Sequence, residues 1–523
     1  MSSILTNNSA MVALQTLQSI NKDLAKTQDE ISTGKSVASA KDNSAVWAIS
    51  KVMEADVNGF KGISESLSLG ESTVAVARNA AETVTDLLTD IKGKIVSAQE
   101  ENVDRTKIQT DIDSLREQIN SVLNAAQFNG KNLVNNFDES SILSSLDRDS
   151  AGDVTASYIS FNGQNLTSDG GTLSTSTALN RIGTVDDAGA YTVGAGATLS
   201  NAANDATITL ATSLDDGDTL TIDFADQQFT YTNNSGGALA VGDLDDIVAA
   251  GLANLGVEGV TTAVTGAGEI TVSSTNKFDA ITIQGSSPTT TVTVDPDAGG
   301  SQSAAAPGAA ATLVARAETI SLGGTGNTGG VVKEGDGFQI ALDGSTFNYV
   351  AKDGDTLNDV ATGLKRVIDA QGVDGVSVKV NLSDDPTTSP PTIQIDNDGS
   401  NNISLTVDDG ADGVASGGLV GLSGIDVTTS DGARNALNNI ESLIQTSIDA
   451  AAEFGSIQSR VETQAEFIGK LTDSLKSGIG ALVDADMEAA SARLQALQVQ
   501  QQLGTQSLTI ANQAPQNILT LFR

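Results

Sequence analysis

The 523-residue sequence contains neither cysteine nor histidine. This excludes disulfide bonds, Cys/His zinc sites and any nucleophile that a histidine would activate. Catalysis by Asp, Glu, Lys or Tyr alone would need a specific carboxylate pair, and no segment suggests one. We therefore predict a protein with no enzymatic activity, no metal and no other cofactor.

Long apolar runs and an excess of positive charge are also missing. No stretch of about 18 apolar residues exists, so no membrane-spanning helix is expected. The N-terminus, MSSILTNNSAMVALQ, lacks the basic and apolar regions of a conventional signal peptide. With 66 acidic and 28 basic residues, the net charge is −38. Such a polyanion repels nucleic acid and anionic membranes, so neither is expected as a partner.

Composition divides the chain into two ends and a middle. Residues 140–430 hold 37 acidic but only 9 basic residues, together with all four tyrosines and six of the seven prolines. The two ends are nearly free of proline, which breaks helices. We therefore expect helical ends around a middle of a different kind.

Both ends carry apolar residues at alternating steps of three and four. This repeat predicts long helices that each have one narrow apolar seam, as in a coiled coil, although an ordinary helical bundle uses a similar pattern. Two seams precede the middle and one follows it, which indicates that the two ends pack together. The predicted inner coiled-coil residues are Phe60, Leu67, Val74, Leu88, Ile112, Leu115, Ile119, Leu443, Phe454, Ile457, Val461 and Leu475.

The first and last helices are a separate case, because a single amphipathic helix is only marginally stable in water. The chain also ends on an apolar stretch, ANQAPQNILTLFR, which would fray or stick if it were left free. We expect these helices to be buried against other copies of the chain. The residues predicted to support self-assembly are Leu14, Leu17, Leu24, Ile31, Met487, Leu494, Leu497, Leu508, Ile518, Leu519, Leu521 and Phe522.

The middle is predicted to be rich in β-structure. Asp-Gly pairs, which favour tight turns, recur in it, for example at Asp343-Gly344 and Asp409-Gly410. GDTLTIDFADQQFTYT from Gly217 aligns with GDGFQIALDGSTFNYV from Gly335. Because each is followed by a helix-like stretch and further strands, we predict two repeated modules of β-hairpin, helix and β-hairpin.

Three weaker motifs are better explained by structure than by function. GTGNTG at 324–329 matches a dinucleotide-binding pattern, but a strand rather than a helix is expected to follow it, so it predicts a Gly-rich loop. The acidic clusters DDGD and DNDG could hold Ca²⁺, yet they lack the full calcium loop, and turn chemistry accounts for them. Trp47 lies beside the apolar seam and is expected to pack there.

At its two ends the sequence resembles bacterial flagellin. SAKDNSA, from Ser39 to Ala45, matches the family's S-A-K-D-(D/N)-x-A pattern, and AQFNGKNLV is similar to its Q-F-N-G turn. Near the C-terminus, DADMEAA resembles the family's D-A-D-x-x-x-E helix, and ANQAPQNILTL resembles its A-N-Q-x-P-Q-N-x-L-x-L ending. The resemblance covers residues 1–140 and 430–523, while the repeated middle unit is similar to modules inserted in flagellins and hook-associated proteins.

This resemblance implies a structural subunit that self-assembles into the helical flagellar filament for swimming motility. In the family the terminal helices line the filament core, the inner coiled coils form a tube around it, and the insert faces outward. The implied partners are other flagellin subunits, an export chaperone, and the cap and hook-junction proteins. The implied location is extracellular, after secretion through the flagellar type III channel. DIKGKIV at 90–96 departs from the R-V-R-E-L-A-V stretch recognised by the innate flagellin receptor, so receptor activation is not expected.

The predicted fold class is α+β multidomain, with long coiled-coil arms from both termini paired together and β-rich outer domains between them. The predicted divisions are 1–42, N-terminal core helix and linker; 43–140, N-terminal coiled coil of the inner domain; 141–203, β-rich connection; 204–283, first outer module; 284–315, linker; 316–427, second outer module; 428–483, C-terminal coiled coil of the inner domain; and 484–523, C-terminal core helix.

Two alternative functions stay open at this point. A hook–filament junction protein would share the paired helical ends. A surface adhesin or glycan-binding protein would instead act through the outer modules.

Overall fold

The structure is a computed structural model of one chain. It describes residues 7–148, 153–174, 177–185, 191–193, 196–296, 304–323, 331–385 and 389–521. The GTGNTG stretch and Phe522 lie outside the described residues.

Long helices form both ends of the chain, as the three-four repeat predicts. The helices are α1 Asn8–Thr33, α2 Ser44–Ala98, α3 Arg105–Ala125, α4 Val241–Asn254, α5 Leu357–Gln371, α6 Ser430–Val483 and α7 Met487–Leu521, with a short 3-10 helix at Leu422–Gly424.

Strands fill the middle, where β-branched residues alternate with polar ones. They are β1 Gln127–Phe128, β2 Lys131–Asn132, β3 Glu139–Arg148, β4 Val154–Asn162, β5 Gly183–Val185, β6 Tyr191–Val193, β7 Gly196–Leu199, β8 Asn204–Leu210, β9 Thr219–Phe224, β10 Gln227–Thr232, β11 Val260–Gly266, β12 Glu269–Ser274, β13 Ile281–Ser286, β14 Val292–Asp295, β15 Ala311–Leu313, β16 Glu318–Ser321, β17 Gly337–Leu342, β18 Ser345–Val350, β19 Val376–Asn381, β20 Thr392–Asn397 and β21 Ile403–Gly410. Helical ends therefore flank a β-rich region, which makes the protein a mixed α+β fold.

The chain divides into two compact units. The first unit contains residues 1–75, 139–161 and 455–523, and the second contains residues 76–138 and 162–454.

In the first unit, the β3–β4 hairpin packs on the long helices. Gly70 of α2 leaves room for Ile142 of β3, because a Cβ there would lie 2.5 Å from the Ile142 Cδ1 atom. Gln464 of α6 donates a hydrogen bond to the Ser144 carbonyl oxygen at 2.9 Å. The hairpin is thus held by both an apolar and a polar contact.

In the second unit, α2 and α6 contact each other through the predicted seam. Ser447, a polar residue in the α6 seam, is fully buried and donates to the Ala81 carbonyl oxygen at 3.0 Å, while Thr85 Oγ1 donates to Ser447 Oγ at 3.0 Å. Lys92 forms an ion pair with Glu441 at 2.5 Å near the same contact. The polar slot is therefore satisfied by hydrogen bonds, which a buried hydroxyl group requires.

Residues 204–313 of the second unit form one β core. Two antiparallel four-stranded sheets, in the orders β10-β9-β13-β15 and β11-β12-β8-β14, enclose it together with α4. Between Thr219 and Ser274 the element order is hairpin, helix, hairpin.

A second β core uses residues from 182 to 420. Its antiparallel sheets have the orders β19-β20-β16-β5-β6 and β18-β17-β21-β7, and α5 packs against them. The capping box at Thr356 and Asp359 fixes the start of α5. Strands β5 and β7, which come from the predicted connection at 141–203, are members of these sheets.

The stretch 284–315, expected to be a linker, also differs from expectation. Strand β14 pairs with β8, and β15 pairs with β13, so this stretch completes both sheets of the first β core. Its Ser, Thr, Ala and Pro content suggested a linker, but its apolar residues Val292, Val294, Ala311 and Leu313 are buried in the core. Burial of these apolar side chains, rather than the overall composition, makes this stretch form strands instead of a linker.

None of the helices among the described residues is long and apolar enough to cross a membrane. Within the same residues, no group of three or more carboxylates is placed to hold a metal ion.

Candidate self-assembly surface

Helices α1 and α7, the first and last of the chain, pack against each other in the first unit. Each helix turns one stripe of residues at three-four spacing toward the other, and these are among its least exposed residues. The α1 stripe is Ala10, Ala13, Leu17, Ile20, Leu24, Thr27 and Ile31, and the α7 stripe is Ala490, Leu494, Leu497, Gln501, Gly504, Leu508 and Ala511.

The pair is held in register at three levels. Asn7 caps the start of α1 by accepting from the Ala10 N–H at 3.1 Å, and its Nδ2 donates to the Ala511 carbonyl oxygen at 2.8 Å. Gln501 Nε2 donates to Asn21 Oδ1 at 2.7 Å. At Gly504 an added Cβ would lie 3.2 Å from Leu17 Cδ1, so the two helices approach closely there.

The segments that join the terminal helices to α2 and α6 also pair with each other. Gly34 ends α1 in the left-handed conformation at φ 69°, which glycine adopts without strain. Its carbonyl oxygen accepts from the Ala485 N–H at 2.9 Å, and the Ser36 N–H donates to the Val483 carbonyl oxygen at 2.7 Å. Asp486 accepts from the Glu488 and Ala489 N–H groups and so caps α7.

The SAKD motif has a local structural role. Asp42 accepts hydrogen bonds from both the N–H and the hydroxyl of Ser39, each at 2.9 Å. These bonds to Ser39 hold the pKa of the Asp42 carboxyl below its ordinary value. The motif therefore fixes a turn between α1 and α2.

The residues predicted to support self-assembly have different positions in one copy. Leu497 is buried, while Leu17, Leu24, Ile31, Leu494 and Leu508 are half-buried in the stripes of the α1–α7 pair. Leu14 and Met487 are exposed. Ile518, Leu519 and Leu521 lie in the last turns of α7, where the side chains are outside the described part of the chain, as is the whole of Phe522.

A second set of apolar residues on these helices is exposed, and of its members only Leu14 was predicted from the sequence. It comprises Met11, Val12 and Leu14 on α1 with Val499, Leu503 and Ile510 on α7, which we call the open apolar face. Val12 keeps 63% and Leu503 56% of its accessible surface. The sequence carried one signal for this set, because both helices hold more apolar residues than one narrow stripe needs.

The predicted inner seam residues are buried or half-buried within their own unit. Phe60, Leu67, Val74, Leu88, Ile112, Ile119, Leu443, Phe454, Ile457 and Val461 are buried, and Leu115 and Leu475 are half-buried.

Comparison with known proteins agrees with this arrangement of elements. The bacterial flagellin N-terminal helical region matches residues 4–138, and the bacterial flagellin C-terminal helical region matches residues 437–522. Flagellin D of Rhizobium meliloti is 30% identical over 531 residues, which cover 100% of both chains. Flagellin A of the same organism is 28% identical, again over 100% of both chains.

Among solved structures, the flagellar hook associated protein-3 of Legionella pneumophila is similar to 83% of this chain and 98% of its own, at 10% identity. The TM-score of 0.31 is too low to equate the two folds. The two matched terminal regions and the full-length relatives therefore show that the chain belongs to the bacterial flagellin family and is a structural subunit of the flagellar filament.

Proposed function

We propose that the open apolar face of α1 and α7 is the surface through which copies of this chain bind one another in the filament core. The observation that supports this most directly is the exposure of Met11, Val12, Leu503 and Ile510 on two helices whose other stripes already face each other. Large apolar side chains that stay exposed together on two packed helices are typical of an interaction site. Burial in a neighbouring copy removes this surface from water.

The energetic argument favours assembly over a free helix pair. Burying one large apolar side chain contributes roughly 1.5–3 kcal/mol. The open apolar face has six such side chains, counting Leu14 and Val499 with the four above. A copy that adds to the filament would bury them against α1 and α7 of its neighbours. A contact that joins unlike surfaces can be repeated from copy to copy, and it builds an open helix when the rotation between copies does not close.

The proposal also assigns roles to the other elements. The buried seams of α2, α3 and α6 form coiled-coil arms, and the two β cores are repeated modules. Support for the repeat comes from the aligned hairpin sequences and from the shared order of hairpin, helix and hairpin. Residues 1–42 and 484–523 are proposed as the core segments, with support from α1, which ends at Thr33, and from α6, which ends at Val483.

Other parts of the proposal rest on the family alone. A filament subunit acts outside the cell, and we expect this chain to be secreted unfolded through the flagellar channel with the help of an export chaperone. The cap and the hook-junction proteins are its expected neighbours at the two filament ends. The role is mechanical and requires no catalysis.

The test is to place charge on the open apolar face. The double substitution Val12→Asp and Leu503→Asp should abolish polymerisation, because an aspartate buried without a partner is strongly unfavourable. Polymerisation of purified chain onto filament seeds, followed by sedimentation and electron microscopy, measures the effect. Aspartate at Leu17 or Leu497 would instead disrupt the helix pair within one copy, so it is the weaker test.

The control is Val414→Asp, the same substitution at a valine that is 66% exposed in the β-rich part of the second unit. This variant should polymerise like the unmodified chain. Filaments of normal yield from the double variant, with circular dichroism showing normal helix content, would contradict the proposed contact.

A further inference from the structure

A lysine-lined cavity opens beside the first turns of α2 in the first unit. Its volume is about 290 Å³, and four lysines line it: Lys35, Lys51, Lys61 and Lys476. Trp47 and the buried Val57 are among the residues that form its apolar floor. We call this feature the lysine pocket.

The lysine pocket has more positive than negative charge. Glu54 is the single carboxylate in its lining, and it accepts from Lys51 Nζ at 2.6 Å, a hydrogen bond that lowers the pKa of Glu54. Lys476 lies 3.5 Å from Asp473. Among the described residues, neither Lys35 nor Lys61 has a carboxylate within 4.0 Å. The chain has 66 acidic and only 28 basic residues, so this local excess of cations is unusual in it. It favours binding of an acidic partner.

The chain itself has an acidic segment of the complementary kind. The turn that follows the last residue of α2 reads QEENVD, and Glu100 and Glu101 are both exposed in it. Asp104 of the same turn is already engaged, because it caps α3 and pairs with Lys107 at 3.2 Å. In the described structure Glu100 and Glu101 form no ion pair within their own copy. In the described structure these two adjacent carboxylates are therefore exposed and without an ion-pair partner in their own copy.

We propose that the lysine pocket of one copy binds the Glu100-Glu101 turn of a second copy. This inference rests on the proposed self-assembly and adds a second contact to it, formed by residues outside the terminal helices. The pocket is built on the first turns of α2, and the acidic turn follows its last turn. An open helical assembly needs two unlike surfaces on every subunit, and these two differ in charge.

The contact fixes register and orientation more than it supplies affinity. Exposed ion pairs are individually weak, but complementary charges steer association, and like charges brought together oppose it strongly. Copies that slide along one another by a wrong step tend to bring like charges together, since the chain carries far more negative than positive charge. The lysine pocket stabilises only the docking position that places the Glu100-Glu101 turn against it.

A charge exchange tests the proposal. Lys61→Glu with Lys476→Glu gives a variant with an acidic pocket, and Glu100→Lys with Glu101→Lys gives a variant with a basic turn. Each variant alone should raise the critical concentration for polymerisation by more than about tenfold, because it places like charges together. An equimolar mixture of the two should polymerise again, since each then offers the other an opposite charge. A single chain with all four substitutions should also polymerise.

The matched control is Lys131→Glu with Lys470→Glu, which changes the net charge equally at two exposed lysines outside the pocket. This control should polymerise normally. The inference is overturned if the pocket variant polymerises like the control, or if it fails and neither the mixture nor the fourfold variant recovers. A different result would contradict only the proposed core contact. In that result the charge exchange gives the expected loss and recovery, but the Val12→Asp, Leu503→Asp variant still forms normal filaments.

Discussion

Asp409 is the residue whose role is least visible in the sequence. Its carboxylate accepts hydrogen bonds from four successive backbone N–H groups, those of Leu179, Asn180, Arg181 and Ile182, at distances from 2.5 to 3.2 Å. The side chain is buried at the end of β21. It therefore ties the segment that leads into β5 to the second β core.

We expect Asp409→Ala to lower the free energy of unfolding of that core by roughly 3 kcal/mol, because the buried N–H groups lose a charged acceptor. Urea unfolding monitored by circular dichroism measures this. Glu334→Ala, which removes a carboxylate from an exposed position in the same core region, should change stability by less than about 0.5 kcal/mol. Equal stability of the two variants would show that the hydrogen bonds contribute nothing.

The sequence predicts turns from Asp-Gly pairs, and the outcome depends on the neighbours of each pair. At Asp343-Gly344 the prediction is confirmed, since both residues have positive φ angles, 48° and 83°, and join β17 to β18. At Asp409-Gly410 it is wrong, because both residues lie in β21. The partner N–H groups lie some 230 residues earlier in the chain, so no local pattern could identify them.

At the scale of elements, α4 and α5 share an arrangement of helix and strand. Gly251 in VAAGL of α4 lies against the ring of Phe229, and Gly363 in VATGL of α5 lies against the ring of Tyr349. In both cases the atoms of the ring occupy the space that a Cβ would need. Each helix thus uses glycine so that an aromatic residue of its hairpin can pack on the helix backbone.

We therefore expect Gly251→Ala and Gly363→Ala each to destabilise their own β core by about 1–2 kcal/mol, because overpacking outweighs the better helix propensity of alanine. Gly363→Ala should cost more, since a shift of Tyr349 also strains the hydrogen bond that its hydroxyl donates to Asp355 at 2.8 Å. Differential scanning calorimetry of the purified chain compares the variants.

Gly242→Ala provides the control for both substitutions. Gly242 is in the first turn of α4, and nothing lies within 4 Å of the position of its Cβ. This substitution should be neutral or stabilising by up to about 1 kcal/mol. If Gly251→Ala behaved in the same way, the proposed contact with Phe229 would be wrong.

The helical seams were predictable because a three-four repeat depends only on spacing along one helix. Phe60, Leu67 and Val461 are buried as the repeat requires. Apart from Leu14, the second apolar set on α1 and α7 was not predicted, since Val12 and Leu503 fall outside the main stripe and a single sequence does not say which of two faces turns inward. Only the pairing of α1 with α7 decides that question.

At the scale of the whole molecule, one β core is inserted into the other. Strands β5 and β7 precede the first β core in sequence but pair with β16 and β21, which follow it. The inserted part begins and ends at nearly one point, because Asn204 Nδ2 donates to the carbonyl oxygens of Val314 and Ala315 at 3.2 and 3.1 Å. Arg316, next to this point, forms a buried two-bond ion pair with Asp396 of β20.

We expect that residues 206–313 can be removed and replaced by two glycines without unfolding the second β core. The unfolding temperature of that core should change by no more than about 4 °C, because the cut joins points already in contact and leaves the Arg316–Asp396 pair intact. Calorimetry and seeded polymerisation both report the result.

Deletion of residues 183–199 is the opposing case. It removes far fewer residues, but it takes β5 and β7 out of both sheets of the second core. This smaller deletion should abolish the cooperative transition of that core. If the large deletion also abolished it, the two β cores would have to be treated as one folding unit.

The insertion could not be predicted from the sequence, which led to a connection at 141–203 and a linker at 284–315. The aligned hairpins identify local pairs such as β9–β10 and β17–β18, whose strands are joined by tight turns. Strands β7, β14 and β15 are short and find their partners across long stretches of chain. Their pairing is specified by burial in a shared core, which no short window of sequence displays.

The pairing of α1 with α7 bears on which chains can join a growing filament. A chain that is cut short or still emerging has its opening helix but not its closing one, so the Asn7–Ala511 hydrogen bond and the contact of Leu17 with Gly504 cannot form. We therefore expect a chain without α7 to stay out of the filament, because its α1 has no partner helix.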